Sequence, residues 1–403
     1  MNVLAVFRQE AKGLWGDGKG VSLVAVAVAW GLLNGTRMVY PVIIPYLQTA
    51  FDLSLTVAGL LVSVLWFFAA IGQLPGGILA DRFDERTLMT VSTGIVAVAL
   101  GLVITAPSPL VLFTATALWG VGHSLYPIAR ITFLSNLYSG RLGSALGVTM
   151  ATGDVGQTVL PPIATVLAAV VAWQVGLGFV VPLLVVAGIA IFVTSSPQRS
   201  TSQSTDSQSL WDTLGVVTEL RNPSMGFMTG ILFLYLFIWQ SFTTFYPTYL
   251  TTVKGMAPSV AGVLFGFFFA VGVVVKPVAG TAYDRIGMRK SLVGILLPAV
   301  AGFFLLPIVD SVWFLVVVTA LISTMLGTGA VTQSFLADSF SDEMQGTGLG
   351  VVRTITAALA AGGPVLFGVI ADYGYFDQGY IALAVIMAVV VALTLRMPTA
   401  RQS

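Results

Sequence analysis

Five charged side chains lie inside long apolar stretches of this sequence. Four are cations, Arg37, Arg130, Lys276 and Arg353, and one is an anion, Asp154. A charge inside a membrane is costly, so each of these residues is a functional hypothesis by default. The cations exceed the anion by three, and a bound anionic solute would supply the missing counter-charge. The pattern therefore predicts a binding site for a small anion.

Arg37 is the strongest candidate for contact with that anion. An arginine stays charged, and its planar guanidinium binds a carboxylate or phosphate through two parallel hydrogen bonds. The polar residues Asn34, Thr36 and Tyr40 flank it, and Tyr40 is a second candidate for contact with the solute. The alternative is that Arg37 forms a structural ion pair or faces water.

Three further residues are candidates for solute contact or proton movement. His123 is the single histidine, and an unperturbed histidine titrates near neutrality, so it could carry protons, bind solute or simply join two helices. Asp154 is the only acid deep in an apolar stretch and is the leading candidate for proton coupling. Arg130 either contacts the solute or pairs with Asp154, and Lys276 is the alternative partner of that acid.

The chain also repeats itself at an offset of 203 residues. Residues 46–86 return without a gap, and Arg37 falls on Gln240, which makes Gln240 a further candidate for solute contact. The repeat carries a charged loop motif, in which Gly77, Asp81, Arg82 and Arg86 return as Gly280, Asp284, Arg285 and Arg289. An apolar chain built twice over predicts two membrane bundles that hold a small solute between them.

Composition excludes several classes of function. The 403 residues are 57% apolar and 9% charged, far below the roughly one quarter of charged residues in soluble proteins. There is no cysteine and only one histidine, which excludes disulfides and sites built from several histidines or thiolates. The net charge of +1 gives no reason to expect nucleic acid binding. We expect no cofactor, no metal and no enzymatic activity.

The elements that must position these residues are helices that cross a membrane, since about 20 apolar residues span the hydrocarbon core. Twelve such spans are predicted, at 21–47, 55–80, 88–106, 109–137, 144–170, 174–195, 223–250, 257–282, 289–309, 311–337, 347–371 and 378–396. Lysines and arginines of the short loops gather on one side, which places that side and both termini in the cytoplasm. The predicted parts are a terminal segment 1–20, bundles 21–195 and 223–396, a linker 196–222 and a tail 397–403.

The two loop motifs carry a family resemblance. Residues Gly77 to Arg86 and Gly280 to Lys290 resemble the loop motif of the major facilitator superfamily, and the resemblance covers residues 21–396. The first copy departs from the motif, because Asp84 stands where a glycine is usual. The resemblance implies an all-α membrane protein with twelve helices in two pseudo-symmetric six-helix bundles. It also implies transport by rocking between inward-open and outward-open states.

The resemblance assigns further roles by position. Spans 1, 4, 7 and 10 line the central cavity in that family, so Trp239 in the aromatic span 7 is a candidate for solute contact. Span 11 packs against span 2, so Arg353 is expected to lock to Asp81 when the cytoplasmic side closes. Lys276 of span 8 is expected to face span 5 and Asp154. The motif residues Asp81, Arg82, Arg86, Asp284, Arg285 and Arg289 are expected at the gate between the bundles.

A finer resemblance narrows the solute. Residues Gly120 to Pro127 and Arg37 resemble the organic-anion symporters of the family, although His123 stands in place of their glutamate and Thr116 in place of an arginine. The leading hypothesis is a monomeric carrier in the cell membrane that moves a small organic anion with protons, its partners being solute and lipid. The alternatives are a drug exporter, suggested by glycines 147, 153 and 156 in span 5, and a channel or a sensor that does not transport.

Overall fold

We analysed a computed structural model of the chain. The structure describes residues 14–73, 83–138, 140–196, 223–339 and 345–397, together with Gly76 and Leu79. These residues are almost entirely helical and contain no strand. The all-α part of the prediction is therefore confirmed.

Helices follow one another along the chain with short connections. Their bounds are α1 Lys19–Phe51, α2 Leu55–Ile71, α3 Glu85–Ile104, α4 Pro109–Leu137, α5 Leu142–Val170, α6 Trp173–Gly178, α7 Val180–Thr194, α8 Pro223–Thr252, α9 Pro258–Leu305, α10 Val312–Ser323, α11 Thr328–Ser339, α12 Gln345–Ala360, α13 Gly363–Asp372 and α14 Phe376–Arg396. Short 3-10 turns lie at Gly16–Gly18 and Thr324–Gly327.

Nine helical stretches in the described part of the chain are long and apolar enough to cross a membrane. In lipid every backbone amide and carbonyl must be satisfied within the protein, and a helix does this within one segment. Prolines lie inside several of these helices, as at Pro41 and Pro45 of α1 and Pro161 and Pro162 of α5. Membrane helices tolerate such prolines because neighbouring groups satisfy the freed carbonyls. These features place the chain among multi-pass membrane proteins.

The chain forms two compact units. The first unit comprises Met1–Tyr46 and Val64–Thr201, and the second comprises Leu47–Ser63 and Ser202–Ser403. The helix α2 therefore contributes its beginning to the second unit and its end to the first.

The backbones of α1 and α5 touch inside the first unit. A Cβ atom added to Gly156 of α5 would lie 2.0 Å from the carbonyl oxygen of Gly31 in α1. A Cβ atom on Gly35 would lie 2.4 Å from the carbonyl oxygen of Gly156. Small residues permit such close approach between membrane helices. Gly153 and Gly156, which resemble the glycines of drug exporters, therefore serve packing between α1 and α5 here.

A tyrosine–threonine hydrogen bond recurs in both units. The Tyr40 and Thr116 hydroxyls are 2.6 Å apart in the first unit, and those of Tyr246 and Thr319 are 2.5 Å apart in the second. Thr319 lies 203 residues after Thr116, at the offset of the sequence repeat. The duplication therefore extends to a buried polar contact, which joins α1 to α4 in the first unit and α8 to α10 in the second.

The two copies of the loop motif differ in backbone conformation at equivalent positions. Asp84 has φ −64° and ψ 145°, and its carboxylate accepts a 2.9 Å hydrogen bond from the Thr87 amide, so it caps the start of α3. Gly287, 203 residues later, has φ 77° and ψ 166°, a region that side chains rarely adopt. Two helical segments of α9 meet at this glycine. The aspartate in the first copy thus replaces a special backbone turn with a side-chain cap.

Candidate functional site

Arg37 is held by two neighbours inside the first unit. Its Nη2 atom donates a 2.9 Å hydrogen bond to Oδ1 of Asn34, one turn earlier on α1. Its guanidinium lies over the indole ring of Trp66 in α2, 4.4 Å from the ring centroid. The Asn34 Nδ2 atom donates to the Trp30 carbonyl at 2.9 Å, which turns the amide oxygen towards the arginine. These contacts fix the orientation of the guanidinium and leave its charge uncompensated.

No carboxylate of the described residues lies within 4.0 Å of the Arg37 guanidinium. Its Nε atom is buried and has no hydrogen-bond acceptor among those residues. A buried cation without a counter-ion is strongly disfavoured. The arrangement therefore fits an anion that accepts from Nε and the adjacent Nη.

Arg130 of α4 repeats this arrangement. Its guanidinium lies 4.0 Å from the centroid of the Trp30 ring, and its Nη1 atom donates a 2.8 Å hydrogen bond to the Thr149 hydroxyl of α5. The side chain is 6% exposed, and its Nε atom also has no acceptor among the described residues. Its partner on α5 is thus Thr149, and the pair with Asp154 that the sequence also allowed stays a prediction.

Trp30 brings the remaining member of the site into place. Its ring lies 6.1 Å from that of His123 and stacks on that of Tyr126 at 5.9 Å between centroids. His123 is 3% exposed, and its Nε2 atom has no hydrogen-bond partner in the part of the chain that the structure describes. We call the set Trp30, Asn34, Arg37, Trp66, His123 and Arg130 the arginine–tryptophan cluster.

Helix geometry explains why these residues converge. Trp30, Asn34 and Arg37 are spaced by four and three residues, so they share one face of α1. The glycine contact between α1 and α5 brings Thr149 close enough to bond Arg130. The cluster therefore draws its members from α1, α2 and α4, and α5 supports it.

The other three residues predicted to contact the solute, Tyr40, Gln240 and Trp239, lie outside this cluster. Tyr40 is fully buried, bonded to Thr116 and packed against Trp119 at 4.9 Å between ring centroids. In the second unit Gln240 is 1% exposed, and its Oε1 atom has no donor among the described residues. Trp239 beside it is half-buried. The repeat thus places an unsatisfied amide oxygen in one unit where the other carries Arg37.

The predicted proton and gate residues lie on several helices, and their roles stay predictions. Asp154 of α5, Lys276 of α9 and the exposed Arg353 of α12 are in the described residues. Arg86 lies over the Phe192 ring at 4.4 Å and donates to its carbonyl oxygen at 3.3 Å, which ties the start of α3 to α7. Three further motif residues, Asp284, Arg285 and Arg289, are exposed on α9, and Asp81 and Arg82 lie outside the described residues.

Sequence reasoning missed the two tryptophans of the cluster. Trp30 lies seven residues before Arg37, and this helical spacing is a signal that could have placed it on the arginine's face. Trp66 lies on another helix, and nothing in the sequence distinguishes it from the other apolar residues of its span. Within the described part of the chain, no group of three His, Asp or Glu side chains could hold a metal ion.

Three curated relatives resemble most of the chain. The "Hexuronate transporter" of Bacillus subtilis is 22% identical over 369 residues, covering 87% of this chain and 87% of the relative. The "Nitrite extrusion protein" of the same organism is 20% identical and covers 91% and 89%. The "Probable sulfoacetate transporter" of Cupriavidus necator is 24% identical and covers 86% of each.

Solved structures share the fold. The nucleoside transporter NupG matches with a TM-score of 0.83 at 12% identity, over 94% of this chain and 100% of that one. A bacterial homologue of the human lysosomal transporter Spinster, inward-facing and unoccupied, matches with a TM-score of 0.78 at 15% identity, over 96% and 99%. The sequence profile of the Major Facilitator Superfamily matches residues 25–332 and 228–403.

Proposed function

The chain belongs to the Major Facilitator Superfamily, and on that premise we propose that it carries a small organic anion across the membrane by alternating access. Such carriers hold their solute at a site that faces each side of the membrane in turn. The names of the relatives support an anion, since hexuronate, nitrite and sulfoacetate are all anionic. The arginine–tryptophan cluster supplies the chemistry that would recognise it.

One observation carries this proposal. Arg37 is a membrane-buried cation whose only hydrogen-bond partner in the described residues is a neutral amide, Asn34, and whose Nε atom has no acceptor. A permanent structural cation would be expected to have a carboxylate partner. A transported anion would provide that partner only while it is bound, which is the behaviour that a carrier needs.

The cluster favours an organic anion over an inorganic one. The indole rings of Trp30 and Trp66 cover faces of the two guanidinium groups and present apolar surface beside them. An organic anion gains from such surface in addition to the charged hydrogen bonds. In the second unit the unsatisfied Gln240 oxygen could accept a hydrogen bond from a solute hydroxyl. A hexuronate has both a carboxylate and hydroxyl groups.

The membrane topology is part of the proposal. The break at Gly287 divides the 48 residues of α9 into two segments, each of which we assign as a separate span. With α2 and α4 also assigned as spans, this division gives the twelve spans that we propose, in two bundles, 21–195 and 223–396. Both termini and the linker 196–222 are proposed to lie in the cytoplasm, because the arginines of the short loops then obey the positive-inside rule.

We further propose that transport is coupled to protons through Asp154 or His123. Both are side chains inside predicted spans that can take up and release a proton, and ionisable groups within membrane spans commonly form proton relays. His123 lies in the cluster, whereas Asp154 lies on the helix that supports Arg130. Uptake driven by a pH gradient in His123→Gln and in Asp154→Asn identifies the coupling residue, which should lose gradient-driven uptake but retain exchange.

Two measurements test the proposed function. Thermal unfolding of the purified protein is recorded with glucuronate, sulfoacetate, nitrite and a cationic dye, and we expect stabilisation by an organic anion only. Counterflow of that anion into proteoliposomes then separates a carrier from a sensor, which moves nothing, and from a channel, which shows no counterflow. Stabilisation by the dye alone would favour the drug exporter and refute the anion carrier.

A further inference from the structure

The helix α2 begins with its amide groups bonded to a side chain more than 300 residues away in sequence. The Asp372 carboxylate accepts from the Leu55 amide at 2.7 Å and from the Thr56 amide at 2.8 Å. It also accepts from the Thr56 hydroxyl at 2.5 Å. The Ser54 hydroxyl accepts from the Val57 amide at 3.3 Å and also forms a hydrogen bond with the Asp372 carboxylate. Asp372 therefore satisfies the two first amides that Ser54 leaves free, at the positive end of the helix dipole.

Close packing accompanies this cap. A Cβ atom on Gly59 of α2 would lie 2.4 Å from the carbonyl oxygen of Pro364, and one on Gly368 of α13 would lie 2.5 Å from that of Leu55. The beginning of α2 thus lies directly on α13 within the second unit. Larger residues at either glycine would separate the two helices.

The far end of the same helix reaches the proposed anion site. Trp66 follows Leu55 by eleven residues, which is about 16 Å along a helix axis. Trp66 belongs to the first unit, where it covers the guanidinium of Arg37. Because α2 is a continuous helix from Leu55 to Ile71, a movement of its capped end also moves the tryptophan against the arginine.

The internal repeat does not contain a second copy of this cap. The residue 203 positions before Asp372 is Ala169, which has no carboxylate. The start of α9, which corresponds to the start of α2, has Ala257 at its N-cap and a proline in its first turn, with no side-chain cap. The chain therefore carries this contact at only one of two equivalent helix starts.

We propose that Asp372 is a latch that holds α2 against α13 and positions Trp66 over Arg37, so that the latch must open for solute to exchange on that side of the membrane. The idea rests on the proposed transport function for its purpose, but the latch itself is testable without a substrate. Asp372 acts through α2 and is a positioning residue, since it lies far from the anion site in the helix register.

Because the chain contains no cysteine, a single introduced thiol can report how often the start of α2 opens. Ser63 shares a face of α2 with Thr56 and Gly59, is 6% exposed, and differs from cysteine by one atom. In Ser63→Cys the single thiol should react slowly with a maleimide in purified protein. Adding Asp372→Asn should raise the labelling rate about tenfold, equivalent to about 1.4 kcal/mol in the opening equilibrium. Asp372→Glu, which restores the charge, should recover part of the slow rate.

The matched control is Asp377→Asn. Asp377 also accepts a hydrogen bond inside the second unit, from the Tyr249 hydroxyl at 2.5 Å, whereas the carboxylate bonded to the first amides of α2 is that of Asp372. Equal labelling rates in Asp372→Asn and Asp377→Asn would refute the latch. If Asp372→Asn fails to fold, Thr56→Val removes the hydroxyl bond alone and should give a smaller increase, and no increase would refute the proposal equally.

A second readout connects the latch to the site. Glucuronate, a hexuronate, should change the Ser63→Cys labelling rate in the otherwise unaltered protein, and Trp66→Leu should abolish that change while leaving the effect of Asp372→Asn intact. If no tested anion alters labelling or stability, the transport proposal fails while the latch survives. If glucuronate binds but its effect on labelling persists in Trp66→Leu, the proposed coupling through α2 is wrong.

Discussion

The Arg37 guanidinium lies 4.4 Å from the centroid of the Trp66 indole, and the Arg130 guanidinium lies 4.0 Å from that of Trp30. Each arginine thus has one face covered by an indole ring, one hydrogen bond to a neutral oxygen, and an Nε atom with no acceptor in the described residues. An indole ring stabilises a cation without neutralising it. This allows the cations to persist in the membrane and still bind an anion.

Replacing Trp66 should weaken anion binding without abolishing it. A cation–π contact contributes about 0.5–2 kcal/mol, so Trp66→Leu should raise the dissociation constant about twofold to thirtyfold. Titration calorimetry with the anion that stabilises the protein checks this. Trp313→Leu is the control, because Trp313 is 82% exposed and lies outside the cluster. Equal affinities in the two variants would contradict a role for Trp66.

Replacing Arg130 should lower the affinity for the anion more than replacing Thr149, the threonine to which it bonds. Arg130→Gln removes a charged donor, whose hydrogen bonds contribute about 1.5–3 kcal/mol each, so affinity should fall about tenfold or more. Thr149→Val keeps the shape but leaves Nη1 without its bond, and should lower thermal stability. Added anion should restore that stability, since it offers a new acceptor. Arg289→Gln is the control, because Arg289 is exposed on α9 outside the cluster. If Arg130→Gln binds the anion as tightly as Arg289→Gln, Arg130 is not part of the site.

The contact between α1 and α5 should tolerate no added carbon at Gly156. A Cβ atom there would lie 2.0 Å from the Gly31 carbonyl oxygen, whereas one on Gly147 of the same helix has open space. Overpacking typically costs about 1–3 kcal/mol. Thermal unfolding should therefore show a lower Tm for Gly156→Ala and an unchanged Tm for Gly147→Ala. A similar Tm for both would mean that the helices separate freely.

Exchanging the residues of the two loop motifs should have unequal effects. Gly287→Asp must hold a side chain at φ 77° and ψ 166°, a region that costs about 1–3 kcal/mol for residues other than glycine. Asp84→Gly loses its bonds to Thr87, but glycine is an acceptable N-cap and costs only about a few tenths of a kcal/mol. Thermal unfolding of both variants measures the difference, and a larger loss in Asp84→Gly would contradict the assigned conformations.

The residues that the sequence identified were those that contrast with their surroundings. Arg37, Arg130 and His123 were identified because burying an ionisable side chain in an apolar span costs free energy, so such residues usually have a function. The repeat similarly drew attention to Asp84, whose equivalent is the glycine at the break in α9. Family membership and the helical fold were both expected from the sequence, and both are confirmed.

Other relationships could not be read from the sequence. Trp66 is an aromatic residue in an aromatic segment, and only the packing of α2 beside α1 reveals that it covers Arg37. Asp372 looked like an ordinary charge near the end of a span, because the amides that it caps belong to a helix more than 300 residues earlier. Contacts between distant helices depend on the fold and leave no local pattern.

The central claim is that Arg37 binds the transported anion, and equilibrium binding to two matched variants tests it most directly. Each variant removes a guanidinium that lies 4.4 Å from the centroid of an aromatic ring. In Arg37→Gln that ring is Trp66 of the cluster, whereas in Arg86→Gln it is Phe192, which lies outside the cluster. We predict that Arg86→Gln binds the stabilising anion like the unaltered protein, while Arg37→Gln loses measurable binding but keeps its fold. Equal affinity in both variants would contradict the claim.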